Sequence, residues 1–181
     1  MKCVRGMLTT CACVAMAIAC VVRAEDAKPY KPAGNADEAI AAIEALGGAV
    51  RLVSRKHDAL EVDFRFAGDA LTDTHLQYVL QLKNVVTLNL KKTPITDAGM
   101  QHVAKIATLK RLHLEQTRVT DAGLKHLVGL KQLTYLNLFG AAVTDAGLET
   151  VRDMPALKHV YVWHTKVTPD GIARFKQAAP H

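Results

Sequence analysis

A Thr-Asp pair returns every 24 residues along this chain, at Thr72-Asp73, Thr96-Asp97, Thr120-Asp121 and Thr144-Asp145. A fifth occurrence, Thr168-Pro169-Asp170, reads as one residue longer. Three pairs continue as Asp-Ala-Gly followed by Met or Leu, at 97–100, 121–124 and 145–148. A fixed period of this length confines the chain to a repeat architecture. A unit so short cannot enclose a core alone and must bury its apolar face by stacking on its neighbours.

Between the pairs stands Leu-x-x-Leu-x-Leu. It runs Leu109/Leu112/Leu114, then Leu133/Leu136/Leu138, then Leu157/Val160/Val162, with an earlier copy at Val85/Leu88/Leu90. The last two positions of each copy alternate, and a period of two predicts a short strand with one buried face. Val62-x-Phe64-x-Phe66 reads as a weaker copy at the N-terminal side. The Thr-Asp pairs are expected to open helices, with Thr96, Thr120 and Thr144 as N-caps. The following Asp then sits in the first turn, where the helix dipole favours negative charge. Pro169 suits a first helical position, which needs no N–H. Behind the caps, Met100/Val103/Ile106, Leu124/Leu127/Leu130, Leu148/Val151/Met154 and Ile172/Phe175 give each helix one apolar face.

Strand, turn and helix in the pattern L-x-x-L-x-L-x-x-T-x-V-T-D-A-G-L resemble the leucine-rich repeat, over about residues 60–175. The chain is most similar to short bacterial exported proteins built of such repeats. The repeat type also resembles that beside F-boxes in ubiquitin-ligase adaptors, but the residues ahead of the repeats leave no room for an F-box. The resemblance implies an α/β, right-handed solenoid with a parallel sheet on the concave face and short helices on the convex face. It also implies binding of a partner through the concave face. In the family a polar residue after the strand ties adjacent turns together; here Thr93, Thr117 and Thr165 fill that place. Ala141, preceded by Gly140, departs from the pattern and predicts a looser turn in that unit.

A solenoid needs its ends covered. Asp37 to Leu46 has the composition of an amphipathic helix stopped by Gly47-Gly48. Val50–Val53 and Leu60–Val62 alternate around Ser54–Asp58 as a hairpin. Residues 36–59 are thus expected as an N-terminal cap of helix and hairpin strand, and residues 60–181 as about five 24-residue units with Phe175 as the plug of the far end. Residues 25–35, with Lys28-Pro29, Lys31-Pro32 and Gly34, read as a flexible linker.

Residues 1–24 read as a signal peptide: Lys2 and Arg5 lead an apolar run from Met7 to Val22, and Val22-Arg23-Ala24 suits cleavage. The run is shorter than the roughly 20 residues that span a bilayer. Export to the periplasm, cell envelope or medium is expected. Two alternatives stay open, namely an uncleaved leader as membrane anchor, or a lipid on Cys20, where Ala17-Ile18-Ala19-Cys20 loosely resembles a lipobox. All four cysteines (Cys3, Cys11, Cys13, Cys20) lie in this leader. Cleavage after Ala24 would leave no disulfide, thiolate metal site or cysteine nucleophile. Lys2, Arg5 and Arg23 also carry half of the formal charge of +6, and elsewhere bases and acids intermix. That pattern argues against a nucleic-acid partner.

Residues 24 apart become lateral neighbours in such a sheet, so its outward positions form columns. Thr87, Arg111, Tyr135 and His159 make one, Asn89, His113, Asn137 and Tyr161 a second, and Lys91, Glu115, Phe139 and Trp163 a third. Grouped exposed aromatics are costly in water and typify contact surfaces. The candidate binding residues are Arg111, His113, Tyr135, Asn137, Phe139, His159, Tyr161 and Trp163, with His164 nearby. A protein partner is the expected occupant. A glycan stacked on the aromatics is an alternative, as is a structural component that self-associates through the sheet edge after Trp163. A C-terminal loop or a dimer mate covering the rings is the reading without a ligand. No enzyme, cofactor or metal is expected. His113 and His159 fall two strands, about 10 Å, apart, too far to share a zinc ion at ~2 Å bonds. His102 and His126 read as a solvated ladder, and Asp97, Asp121 and Asp145 as structural acids. Ser54 has no histidine and acid placed to activate it.

Overall fold

The apolar face of each unit has to be covered by its neighbours, and in the computed structural model, which describes residues 30–54 and 58–178, the units stack in register to do so. Residues 1–29, which hold the expected leader and the start of the expected linker, residues 55–57 and the last three residues lie outside the described residues. The chain begins with α1 (Ala36–Ala45), then the antiparallel pair β1 (Ala49–Ser54) and β2 (Ala59–Asp63). Parallel strands follow: β3 (Val85–Asn89), β4 (Arg111–His113), β5 (Tyr135–Asn137) and β6 (His159–Tyr161). Helices α2 (Asp97–Val103), α3 (Asp121–Leu127) and α4 (Asp145–Arg152) connect them, and α5 (Pro169–Ala178) comes last. The six strands pair in sequence order, so each unit touches the one before and the one after.

Helix α1 starts where the Asn35 side chain accepts the Glu38 N–H at 2.9 Å. It stops at Gly47, whose φ of +84° turns the chain into β1. Part of the expected linker is packed: the Tyr30 ring lies 5.0 Å from that of Tyr78, and Lys31 N donates to the Tyr78 hydroxyl. The weak N-terminal copy holds only as far as Phe64. Val62 pairs with Leu88 and Phe64 is fully buried, but β2 ends at Asp63 and Phe66 is 81% exposed. The first unit has two 3-10 turns, Asp73–Gln77 and Val79–Gln81, where the later units have an α-helix.

Leu88, Leu112 and Leu136 align across β3, β4 and β5, and all are fully buried. Leu90, Leu114 and Leu138 form the next buried layer. The ladder runs past the strands through Lys92 N to Glu115 O, Gln116 N to Phe139 O and Gly140 N to Trp163 O, at 2.7–2.9 Å. Lys92, Gln116, Gly140 and His164 occupy the same turn position, with φ between +55° and +69°. A side chain there costs about 1–2 kcal/mol, which Gly140 avoids. The turn at Ala141 is accordingly not looser: its N–H reaches Leu138 O at 3.0 Å, against 3.3 and 3.4 Å for Thr93 and Thr117 in their own turns. The threonines themselves do not tie units together. Thr93, Thr117 and Thr165 each donate to the carbonyl three residues back in their own turn, at 2.6–2.8 Å.

The tie is made by the Thr-Asp pairs. Asp73 accepts the N–H and hydroxyl of Thr96, at 2.9 and 2.6 Å. Asp97 does the same for Thr120, Asp121 for Thr144 and Asp145 for Thr168, all at 2.6–2.8 Å. In the three middle units the same hydroxyl accepts the N–H two residues on, capping its own helix. The acids are therefore structural, but across units as well as within the first turn. The glycine three residues after each Thr makes room: a Cβ on Gly99 would lie 2.5 Å from Asp73 Oδ1. Gly123, Gly147 and Gly171 face Asp97, Asp121 and Asp145 still more closely. Pro169 turns out to be a replacement and not an insertion, since Thr168 and Gly171 keep the spacing of 24 from Thr144 and Gly147. It stands where the acid would be, and the ladder ends there.

Asp145 makes the last rung testable by pH. The Thr168 N–H, then the Thr168 hydroxyl and, after an opposing effect of burial, the Arg174 charge hold its carboxyl below the usual 3.8. A depressed folded value means stability present above 3.8 and lost as pH falls through the folded value. The Thr168 amide resonance is expected to shift and broaden in that window, and to lose this transition in Asp145→Asn. A pH-independent Thr168 amide would contradict the assignment.

At the far end Phe175 is half-buried against the core. Between α5 and the last strand a cavity of about 270 Å³ remains, lined by Leu148, Leu157, Val160 and Val162 among others.

Candidate functional site

The in-register parallel pairing puts the expected columns in place. Thr87, Arg111, Tyr135 and His159 pair in sequence, as do Asn89, His113, Asn137 and Tyr161. Strand β2 extends both columns with Glu61 and Asp63.

Side chains of the first two columns touch in a continuous line. The Arg111 guanidinium sits 4.3 Å from the centroid of the Tyr135 ring. Tyr135 in turn lies 4.9 Å from the His113 ring and 5.2 Å from the Tyr161 ring. A second contact joins Phe139 to His164 at 5.0 Å, edge to face. Tyr135 and Phe139 are half-buried by these neighbours, whereas Tyr161 is 41% and Trp163 73% exposed. His159 stands exposed at the end of its column. The candidate residues thus divide. Arg111, His113, Tyr135 and Tyr161 form one connected stripe, Phe139 and Trp163 border it, and Asn137 stands half-buried between His113 and Tyr161.

Asn137 is also a structural residue. Its side-chain oxygen accepts the Phe139 N–H at 3.1 Å, and its amide donates to Glu115 Oε1 at 2.7 Å. Asn89 holds the Lys91 N–H in the same way. At the equivalent place on β2, Asp63 accepts the Arg65 N–H and pairs with the Arg65 guanidinium at 2.7 Å. Burial pushes the Asp63 carboxyl up, but the Arg65 hydrogen bonds and the charges of Arg65 and Arg51 outweigh it and hold it below the usual range.

Glu115 did not stand out in the sequence beyond its place in a column. It is nevertheless the most buried charged residue of the third column, at 8% exposure. Oε1 lies 3.1 Å from His113 Nδ1, a hydrogen bond when that nitrogen carries the proton, and takes the Asn137 amide. Oε2 is buried and has no partner. Glu115 lines a groove of about 380 Å³ whose other walls include Lys91, Lys92, Phe139, Tyr161 and Trp163. No signal in the sequence marks such an orphan, because it depends on a side-chain rotamer.

On the helices, His102 and His126 differ, although they are one unit apart. His126 is exposed, whereas His102 is half-buried with Nδ1 enclosed and unpaired, so the pair is not a uniform solvated ladder. Among the described residues no group of three or more His, Cys, Asp or Glu side chains converges as a metal site would require.

Three consecutive segments, 81–104, 105–128 and 131–151, match the family model described as Leucine Rich repeat. They cover the units from β3 to α4. No curated protein matches the chain.

Proposed function

Because this chain is a leucine-rich-repeat protein, and such repeats are generally protein-interaction modules, we propose that it binds a partner protein on its concave sheet face, outside the cytoplasm. The observation that carries this reading is the stripe Arg111–Tyr135–Tyr161 with Trp163 beside it. Aromatic and arginine side chains at the centre of a surface are the residue types that dominate binding energies. The rings are partly pre-packed on each other, so little side-chain freedom is left to lose on association. Export is supported by the leader, with its basic start, apolar run and Val22-Arg23-Ala24.

The test is a pull-down from the cell-envelope fraction of the source organism, using the native chain beside Tyr135→Ala/Tyr161→Ala/Trp163→Ala. Loss of three interfacial aromatics is expected to weaken capture by at least 100-fold, at roughly 1 kcal/mol or more per ring. Circular dichroism of the variant should be native-like, since none of the three rings belongs to the fully buried core. Equal capture by both proteins would move the site to the convex helices. Capture of no protein by either would favour a glycan ligand or a structural role.

A further inference from the structure

The groove beside Glu115 has a chemistry of its own, and its interpretation rests on the concave-face reading above. We propose that it receives a basic side chain of the protein partner, with the cationic head on Glu115 Oε2 and the stem against Phe139 and Trp163.

The first argument is the state of the carboxylate. Glu115 is more than nine-tenths buried, and Oε2 has no hydrogen bond. The polar contacts of the group, to His113 and Asn137, both fall on Oε1. Among the described residues its one ion-pair contact is His113, and Arg65, whose charge reaches Glu115, is itself paired with Asp63. A buried acceptor on a charged group without a partner carries a desolvation penalty, and a charge-assisted hydrogen bond removes it more fully than a neutral one. Glu115 lines the groove. The torsion about its terminal carbon–carbon bond is soft, so the carboxylate can turn to meet a cation that enters the groove.

The second argument is the wall. Phe139, Tyr161 and Trp163 border the same groove. Ring faces attract a cation through their quadrupole, tryptophan most strongly. The first column already uses this interaction, with Arg111 on Tyr135 at 4.3 Å. A long side chain that ends in a cation satisfies both features at once: its methylenes cover the rings while its head reaches the acid. Lys91 and Lys92 line the same groove and oppose it by like charge. Lys92 is exposed, so that repulsion is screened by solvent.

The experiment uses the single tryptophan, Trp163, as reporter in the full chain. Acetyl-Gly-Arg-Gly-amide and its citrulline counterpart, which has the same shape without the charge, are titrated while indole fluorescence is read. The arginine peptide is expected to give a saturable change and to bind at least tenfold more tightly than the citrulline peptide. In Glu115→Gln that preference should fall to within twofold. Lys91→Met should leave arginine binding unchanged or strengthen it. Equal affinity for the two peptides on the native chain overturns the proposal without reference to any variant. So does the absence of any change up to about 50 mM peptide, or weaker arginine binding in Lys91→Met. Quenching by methyl glucoside that persists in Glu115→Gln, with the arginine peptide inert, would assign the groove to a sugar. If the aromatic triple variant loses its captured protein while arginine and citrulline bind alike, the concave-face reading stands and only the basic side chain is refuted.

Discussion

Truncation of Leu133 to alanine is expected to destabilise the fold by about 3–5 kcal/mol, the range for a leucine in a core that cannot close over the gap. Leu133 is fully buried in a middle unit, with a hydrogen-bonded strand on each side of β5. Those ladders fix the distance between units, so neither neighbour can move in. The equivalent leucine of the last unit, Leu157, is 9% exposed and lines the cavity under α5. There the packing is already incomplete and α5 can settle, so Leu157→Ala should cost only about 2 kcal/mol. Set against a total stability of about 5–15 kcal/mol, the first change brings the chain near unfolding and the second does not. Urea denaturation of both variants decides the matter. Equal losses would mean that the ends are as tightly held as the middle, and would contradict a stability built from nearest-neighbour contacts.

Most of this architecture was legible because one period governs it. A residue and its equivalent 24 positions later become lateral neighbours, so Thr87, Arg111, Tyr135 and His159 could be set side by side from the sequence, and the pairing places them so. The legible part ends where the period is broken or where a contact depends on side-chain direction. Phe66 looked like a strand position by alternation, but β2 ends at Asp63, whose side chain takes the Arg65 N–H and turns the backbone away. The orphan oxygen of Glu115 has no counterpart in the pattern at all. Its partners, His113 and Asn137, belong to the adjacent column, and that geometry is set by rotamers.

The Asp–Thr ladder is a different case, since its signal is present in the sequence but is not local to one helix. The dipole of its own helix accounts for an Asp in each first turn but not for the glycine that accompanies it. A glycine recurs inside the first turn of each helix from α2 to α5, where it costs about 1 kcal/mol relative to alanine. A penalty repeated at Gly99, Gly123, Gly147 and Gly171 needs a reason, and the reason is the carboxylate of the preceding unit. Helix propensity alone would make Gly147→Ala stabilising. The structure requires the opposite: an added Cβ would collide with Asp121 Oδ1 and come within 2.8 Å of Val143 Cγ1. Asp121 would have to give up its bonds to the N–H and hydroxyl of Thr144, at 2.8 and 2.6 Å. A hydrogen bond to a charged group is worth about 1.5–3 kcal/mol, so the expected net loss is about 2–4 kcal/mol. Asp121→Ala should cost about as much, since it deletes the same bonds. The double variant is expected to be far less than additive, with a coupling of at least about 1 kcal/mol, because the collision vanishes with the acid. Gly129 supplies the internal control. A Cβ there meets nothing within 4 Å, so Gly129→Ala should stay within about 0.5 kcal/mol of the native chain. Additive losses in the Gly147/Asp121 cycle, or a Gly147→Ala variant as stable as the native chain, would show that the glycine is not held by the ladder. Strong coupling at 147 with none at 129 would make Thr-Asp-Ala-Gly one device, in which the glycine of each unit exists to admit the acid of the unit before it.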